Sequence, residues 1–231
     1  MSDTETFAHE RTPARPLTEP GVIPQWALDT ARPAIRLFSR FCWKLKHHGI
    51  ENIPLSGGLI IASNHQTYLD PFWISIPVHR PVRYLAWKVA FDWPLVGKII
   101  TFLGAWPLQV EGSDPATIRR SLQWLRSGGV LVIFPEGARS TSNGAMTRFK
   151  AGAVRLALEA NVPILPVTIR GANRVWPKNQ RLPRTGNVEI IYHRLHRIQP
   201  VLAEETRHCA RRETAALAKT IESALVAEPR I

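Results

Sequence analysis

Two short segments hold residue types whose spacing can do chemistry. The first is Asn64-His65-Gln66-Thr67-Tyr68-Leu69-Asp70, directly after the apolar run Leu59-Ile60-Ile61-Ala62. An imidazole exchanges protons near neutral pH, and a carboxylate on its other ring nitrogen orients it and stabilises the imidazolium. Five positions apart on one straight helix, the two side chains would diverge by about 140°. They meet only where the chain turns between them, and a strand end before His65 with Pro71 after Asp70 favours a turn. The simpler alternative makes Asp70 the cap of a helix beginning at Pro71, with His65 a loop residue. The second segment is Phe134-Pro135-Glu136-Gly137-Ala138-Arg139-Ser140, again just past an apolar run. Arg139 can clamp a phosphate with its planar fork, and Gly137 allows close backbone approach. The simpler alternative is an ordinary strand-to-loop turn with a solvated arginine.

The elements that must position these residues alternate along the chain. Leu59 to Ala62 and Val130 to Phe134 read as buried strands, Val82 to Trp87 as a weaker one, and Ile164 to Ile169 and Val188 to Tyr192 as two more. Residues 114–127 read as a helix, with Asp114 as cap, Pro115 in the first position and Gly128-Gly129 at the end. Residues 149–160 and 203–227 read as further helices. The pattern predicts an α/β fold: one domain with a mixed, largely parallel sheet covered by helices. Ligand sites in open sheets of this kind lie beyond the carboxyl ends of the strands, where both segments fall.

Residues 26–46 predict an amphipathic helix ahead of the domain. Arg32, Arg36, Arg40 and Lys44 recur every four residues, opposite Ile35, Phe38, Phe41, Cys42 and Leu45. Such a helix suits an anionic membrane surface or, equally, a solvated face of the core. The expected organisation is a mobile polar tail over 1–20, a basic membrane-surface helix region over 21–48 and a catalytic domain over 49–231.

Composition bounds the function. Of 231 residues, 45% are hydrophobic and 21% charged, which excludes wholesale disorder. The formal charge of +12 predicts anionic partners. Two cysteines are too few for a disulfide framework, and no metal-ligand cluster is visible, so no metal is expected. No signal peptide and no long apolar span are expected. No nucleic-acid motif stands out, and nothing resembles the Gly-x-Ser-x-Gly elbow of a serine hydrolase.

Taken as a pair, the two segments resemble the Asn-His-x4-Asp and Phe-Pro-Glu-Gly-x-Arg-Ser blocks of the glycerolipid acyltransferases, typified by 1-acylglycerol-3-phosphate acyltransferase. Gly49-Ile50-Glu51-Asn52-Ile53-Pro54, Trp87-Lys88 with Pro94-Leu95-Val96-Gly97, Phe149-Lys150-Ala151-Gly152-Ala153 and Val162-Pro163-Ile164-Leu165-Pro166-Val167 extend the resemblance over about 49–193. One block departs. Gly104-Ala105-Trp106-Pro107-Leu108-Gln109-Val110 stands where the family carries Gly-x-x-Pro-Val-Asp-Arg. Gln109 and Val110 replace the acid and the arginine implicated in holding the acceptor's phosphate. Either Arg139, Lys88 or Arg119 compensates, or the acceptor is not a phosphomonoester.

The resemblance implies transfer of a fatty acyl group from a thioester on coenzyme A or acyl carrier protein to a lysophospholipid hydroxyl. It implies 1-acylglycerol-3-phosphate as acceptor and phosphatidic acid as product. His65 is then the base and Asp70 its orienting partner. Asn64, Lys88, Glu136, Gly137, Arg139 and Ser140 form the implied substrate-binding set. No cofactor is implied beyond the co-substrate. Two alternatives stay open: a lyso-aminolipid acceptor, and a non-catalytic basic protein bound peripherally to membranes. The expected location is the cytoplasmic face of a membrane, without nucleic acid as partner.

Overall fold

A computed structural model describes residues 23–109, 114–140, 143–199 and 205–226. The tail expected over 1–20, and Val110, lie outside the described residues. The sheet is built from β1 (Lys46–His48), β2 (Leu59–Ser63), β3 (Val82–Trp87), β4 (Ala105–Leu108), β5 (Val130–Ile133), β6 (Ile164–Arg170) and β7 (Glu189–Tyr192). Their order is β1-β7-β6-β2-β5-β3-β4, parallel throughout except for the β6–β7 pair.

Alternation along the strands divides the core between two faces. In β2, Ile60 and Ala62 join one cluster while Leu59 and Ile61 join the other. On the first face lie α4 (Pro115–Arg126), α5 (Gly152–Ala160) and α7 (Thr206–Val226), which contribute Trp124, Ala157 and Leu217. On the second face lie α2 (Asp70–Ser75) and α6 (Ala172–Val175), with Trp73 and Val175 buried. Asp114 caps α4 as its sequence predicts, accepting from Thr117 N–H at 3.1 Å. Gly49 allows the domain's first turn: its φ is +74°, and a Cβ there would meet Tyr192 O at 2.2 Å.

Helix α1 (Gln25–Trp43) runs through Pro33 and docks in an unexpected orientation. Arg32, expected on the charged outer face, is buried instead. Its guanidinium donates to Ser75 O at 2.8 Å, to Ile76 O at 2.7 Å and to Asp29 Oδ1 at 2.8 Å. The carbonyls are at the open C-terminal end of α2, where a cation is favoured. Trp43 closes the other end, its indole N–H on Arg184 O at 3.1 Å and its ring edge-on to Trp73. Leu37, Phe38 and Phe41 are left outside, at 71%, 60% and 87% exposure. A further helix, α3 (Pro94–Phe102), exposes Leu95, Ile99 and Phe102, and Ile23 N–H donates to Phe102 O at 3.0 Å. Among the described residues no helix is long and apolar enough to cross a membrane.

His47 on β1 and His193 after β7 pack into the domain. Desolvation holds both imidazoles below their ordinary pKa of 6.5. The unfolded chain therefore takes up these protons first as pH falls. Their contribution to stability is present above about pH 6.5 and is lost progressively below it. The melting temperature should drop from pH 7.5 to pH 5.5. A melting temperature that holds or rises over that interval would contradict two neutral buried histidines.

Candidate active site

Strands β2 and β5 are parallel neighbours, so the loops leaving their carboxyl ends emerge side by side. The β2 loop carries 64–70 and the β5 loop 134–140. Between β2 and α2 the chain makes a tight turn whose centre is Asp70. The Asp70 side chain has no exposed surface. Its Oδ2 accepts from Gln66 N–H at 2.5 Å and Thr67 N–H at 2.8 Å, and its Oδ1 accepts from the Thr67 hydroxyl at 2.7 Å. These bonds reach back into the loop. The helix that follows has no side-chain cap. The capping alternative is thereby replaced by an acceptor that folds the loop on itself.

The turn brings His65 to the carboxylate, with Nδ1 2.9 Å from Asp70 Oδ2. An ionised carboxylate only accepts, so Nδ1 carries the proton and Nε2 presents its lone pair. The imidazole also stacks on Phe134 at 4.1 Å between centroids and is only 17% exposed. Sequence reasoning gave Phe134 and Thr67 no role. One stacks on the ring and the other completes the set of donors around Asp70.

Glu136 is the second buried carboxylate of these two loops. Oε1 accepts from His65 N–H at 2.8 Å and from the Ser140 hydroxyl at 3.0 Å. Oε2 accepts from Thr147 N–H at 2.7 Å and the Thr147 hydroxyl at 2.9 Å. Ser140 N–H returns to His65 O at 2.6 Å. Glu136 and Ser140 thus tie the two loops to the segment before α5, rather than presenting open donors or acceptors to a substrate. Asn64 is also buried: its amide donates to Ile169 O at 2.9 Å and accepts from Ile169 N–H at 2.8 Å. It extends the β2–β6 pairing by one side chain. Gly137, at φ +72°, turns the β5 loop and donates its N–H to Phe134 O at 3.0 Å. That donor is spent. The N–H groups of Ala138 and Arg139, by contrast, have no partner among the described residues.

Arg139 lies over the Tyr68 ring, its guanidinium carbon 4.0 Å from the centroid. Lys88 is exposed just past β3, the strand on the other side of β5 from β2. It lies close enough to Asp114 to help hold that carboxyl below its ordinary pKa. The larger causes there are the backbone N–H groups of Thr117 and Gln109. Arrayed along one sheet edge are a base with a fixed tautomer, a stacked guanidinium and an exposed ammonium. That set can deprotonate a neutral nucleophile beside an anionic group.

The chain belongs to the Acyltransferase family. The family model described as Acyltransferase matches residues 44–170, a span that includes both loops. A chloroplast 1-acyl-sn-glycerol-3-phosphate acyltransferase of Arabidopsis thaliana is 28% identical over 158 residues, covering 66% of this chain and 43% of that protein. The 1-acyl-sn-glycerol-3-phosphate acyltransferase of Bacillus subtilis is 25% identical over 148 residues, covering 64% of this chain and 71% of its own. The crystal structure of the 1-acyl-sn-glycerophosphate acyltransferase PlsC of Thermotoga maritima shares the fold, with a TM-score of 0.67 at 22% identity over 88% of this chain and 82% of that one. The chain spans about half the length of the plant relatives it matches, 43% and 54%.

Removing the Glu136 side chain leaves buried donors on His65 and Thr147 unpaired. Glu136→Ala should cost about 2–4 kcal/mol of stability, read by urea unfolding. Unchanged stability with turnover lost would return Glu136 to the substrate-binding set.

Proposed function

We propose that the protein is an O-acyltransferase. It moves a fatty acyl group from an acyl thioester, on coenzyme A or acyl carrier protein, to the free hydroxyl of 1-acylglycerol-3-phosphate, forming phosphatidic acid. The observation that carries this reading is the His65–Asp70 pair, whose geometry leaves Nε2 as the basic nitrogen. The activity named for the Arabidopsis and Bacillus relatives supports the acceptor.

An alcohol is a weak nucleophile at neutral pH. His65 Nε2 takes the hydroxyl proton as the oxygen attacks the thioester carbonyl. Asp70 stabilises the imidazolium that forms. The tetrahedral oxyanion then collapses, the carbon–sulfur bond breaks, and the imidazolium returns its proton to the departing thiolate. The backbone N–H groups of Ala138 and Arg139 are open to receive the oxyanion. Arg139 binds the acceptor's phosphate, with Lys88 adding a longer-range positive charge. The thioester is already activated, so no covalent acyl-enzyme is required.

The enzyme works peripherally at a membrane, on the cytoplasmic face where thioester donors are made. The support is α1, which turns Leu37, Phe38 and Phe41 outward beside Arg36 and Arg40. An interfacial helix has that arrangement.

His65→Ala should lower kcat by about 10²- to 10⁴-fold with the fold intact. Asp70→Asn, which no longer fixes the tautomer, should fall by a similar factor. The assay is labelled acyl-coenzyme A with lysophosphatidate, beside neutral, zwitterionic and amino-lysolipids, and with an acyl carrier protein donor in parallel. Turnover of an amino-lysolipid alone would overturn the acceptor. Near-wild-type activity in His65→Ala would overturn the mechanism. Separately, replacing Phe38 and Phe41 by serine should weaken flotation with phosphatidylcholine–phosphatidate vesicles. Undiminished flotation would remove α1 from the membrane contact.

A further inference from the structure

Tyr68 belongs to the loop that holds His65, yet its ring faces Arg139. The guanidinium carbon stands 4.0 Å from the Tyr68 centroid, well inside the range of a cation–π contact. Tyr68 is itself held, edge-on, by Trp176 at 5.6 Å and 74°. Trp176 packs against the second core cluster, and its indole N–H donates to Gln180 O at 3.0 Å. A chain of contacts therefore runs from the core through Trp176 and Tyr68 to the guanidinium. It joins the loops leaving β2, β5 and β6.

The chemistry of this stack is selective. A guanidinium lying on a ring uses its face, and its in-plane N–H donors stay open. Among the described residues Arg139 makes no hydrogen bond and no ion pair. The Tyr68 hydroxyl likewise has no partner among them, so the ring and not the hydroxyl does the holding. Thr67, one residue earlier, is locked to Asp70 through both its N–H and its hydroxyl. The turn that sets the base therefore also sets the ring under the guanidinium.

We infer that Tyr68 is a positioning residue that holds Arg139, by cation–π stacking and with Trp176 as its prop, with its N–H donors free for the anionic group of the acceptor. The inference rests on the proposed reading of Arg139 as the phosphate-binding cation. Its consequence is specific to charge: losing the ring should weaken anionic acceptors and spare neutral ones.

The test is steady-state kinetics of purified Tyr68→Leu, Tyr68→Phe, Arg139→Gln and the Tyr68→Leu/Arg139→Gln double variant. Lysophosphatidate and the uncharged monoacylglycerol are the acceptors. Tyr68→Leu should raise the KM for lysophosphatidate about 3- to 30-fold, with kcat within about twofold. Tyr68→Phe should restore the wild-type KM. In the Arg139→Gln background, Tyr68→Leu should add nothing, and the KM for monoacylglycerol should not move. A raised KM in Arg139→Gln with a normal KM in Tyr68→Leu overturns this inference and leaves the reading of Arg139 standing. A normal KM in Arg139→Gln, or no turnover of lysophosphatidate by the wild type, overturns that reading and the inference with it. Equal loss in Tyr68→Phe and Tyr68→Leu assigns the effect to the hydroxyl and also overturns it. A fall in kcat and melting temperature together in Tyr68→Leu makes the residue merely structural.

Discussion

A carboxylate with no exposed surface is costly to bury, and the cost is offset only when its lone pairs are met. Asp70 is such a group. Two backbone N–H groups, a hydroxyl and the His65 imidazole meet it. All come from residues 65–67, so satisfying the carboxylate forces the loop to fold around it. The requirement that makes Asp70 tolerable in the core also brings His65 to it and chooses its tautomer. The geometry of the base and the stability of the turn are thus one constraint seen from two sides.

Glu136 repeats this logic between loops. Its acceptors bind donors from the β2 loop, from its own loop and from the segment before α5. Parallel pairing of β2 with β5 makes the meeting possible, because it places both carboxyl ends on one edge. Pairing of β2 with β6 adds the third side, through Asn64 on Ile169. The imidazole is therefore fixed from below by Asp70, along its backbone by Glu136 and across its face by Phe134. On the proposed function, a base so restrained loses little freedom when a hydroxyl approaches, which is the advantage of building a site on strand ends.

The parts legible in the sequence are those with strong local signals. The β2, β5 and β6 runs are apolar and buried on both faces, and α4 carries its own cap, proline and terminal glycines. The elements that went unread lack such signals. β1 is Lys-His-His and β4 is Ala-Trp-Pro-Leu, both edge strands, and Pro107 interrupts the apolar pattern of the second. α3 is short and nearly all apolar, and much of it faces outward, so no polar face marks it as a surface helix. At the site, motif spacing marked His65, Asp70 and Arg139. It could not separate groups turned outward from groups turned inward. Asn64, Glu136 and Ser140 share the motifs but spend their polar atoms on neighbouring backbone and loops, a distinction set by tertiary hydrogen bonds and not by spacing.

The net charge shows the same limit. A formal +12 reads as a surface made for anions, yet some arginines never face one. Arg80 binds the carbonyls of Pro54, Gly57 and Gly128, pinning turns at the amino end of the sheet. Arg32 closes the end of α2. Burial lowers the Arg80 pKa, and the three carbonyls take up its donors, so the side chain serves as a staple. The charge that bears on partners is the remainder, and its placement matters more than its sum. Arg36 and Arg40 flank the outward apolar side of α1, while Arg139 and Lys88 stand at the carboxyl edge of the sheet. A lipid with an anionic head and an acyl tail presents both chemistries at once. On the proposed function, the first pair of cations suits a surface of such lipids, and the second suits a single head group drawn out of it to the base.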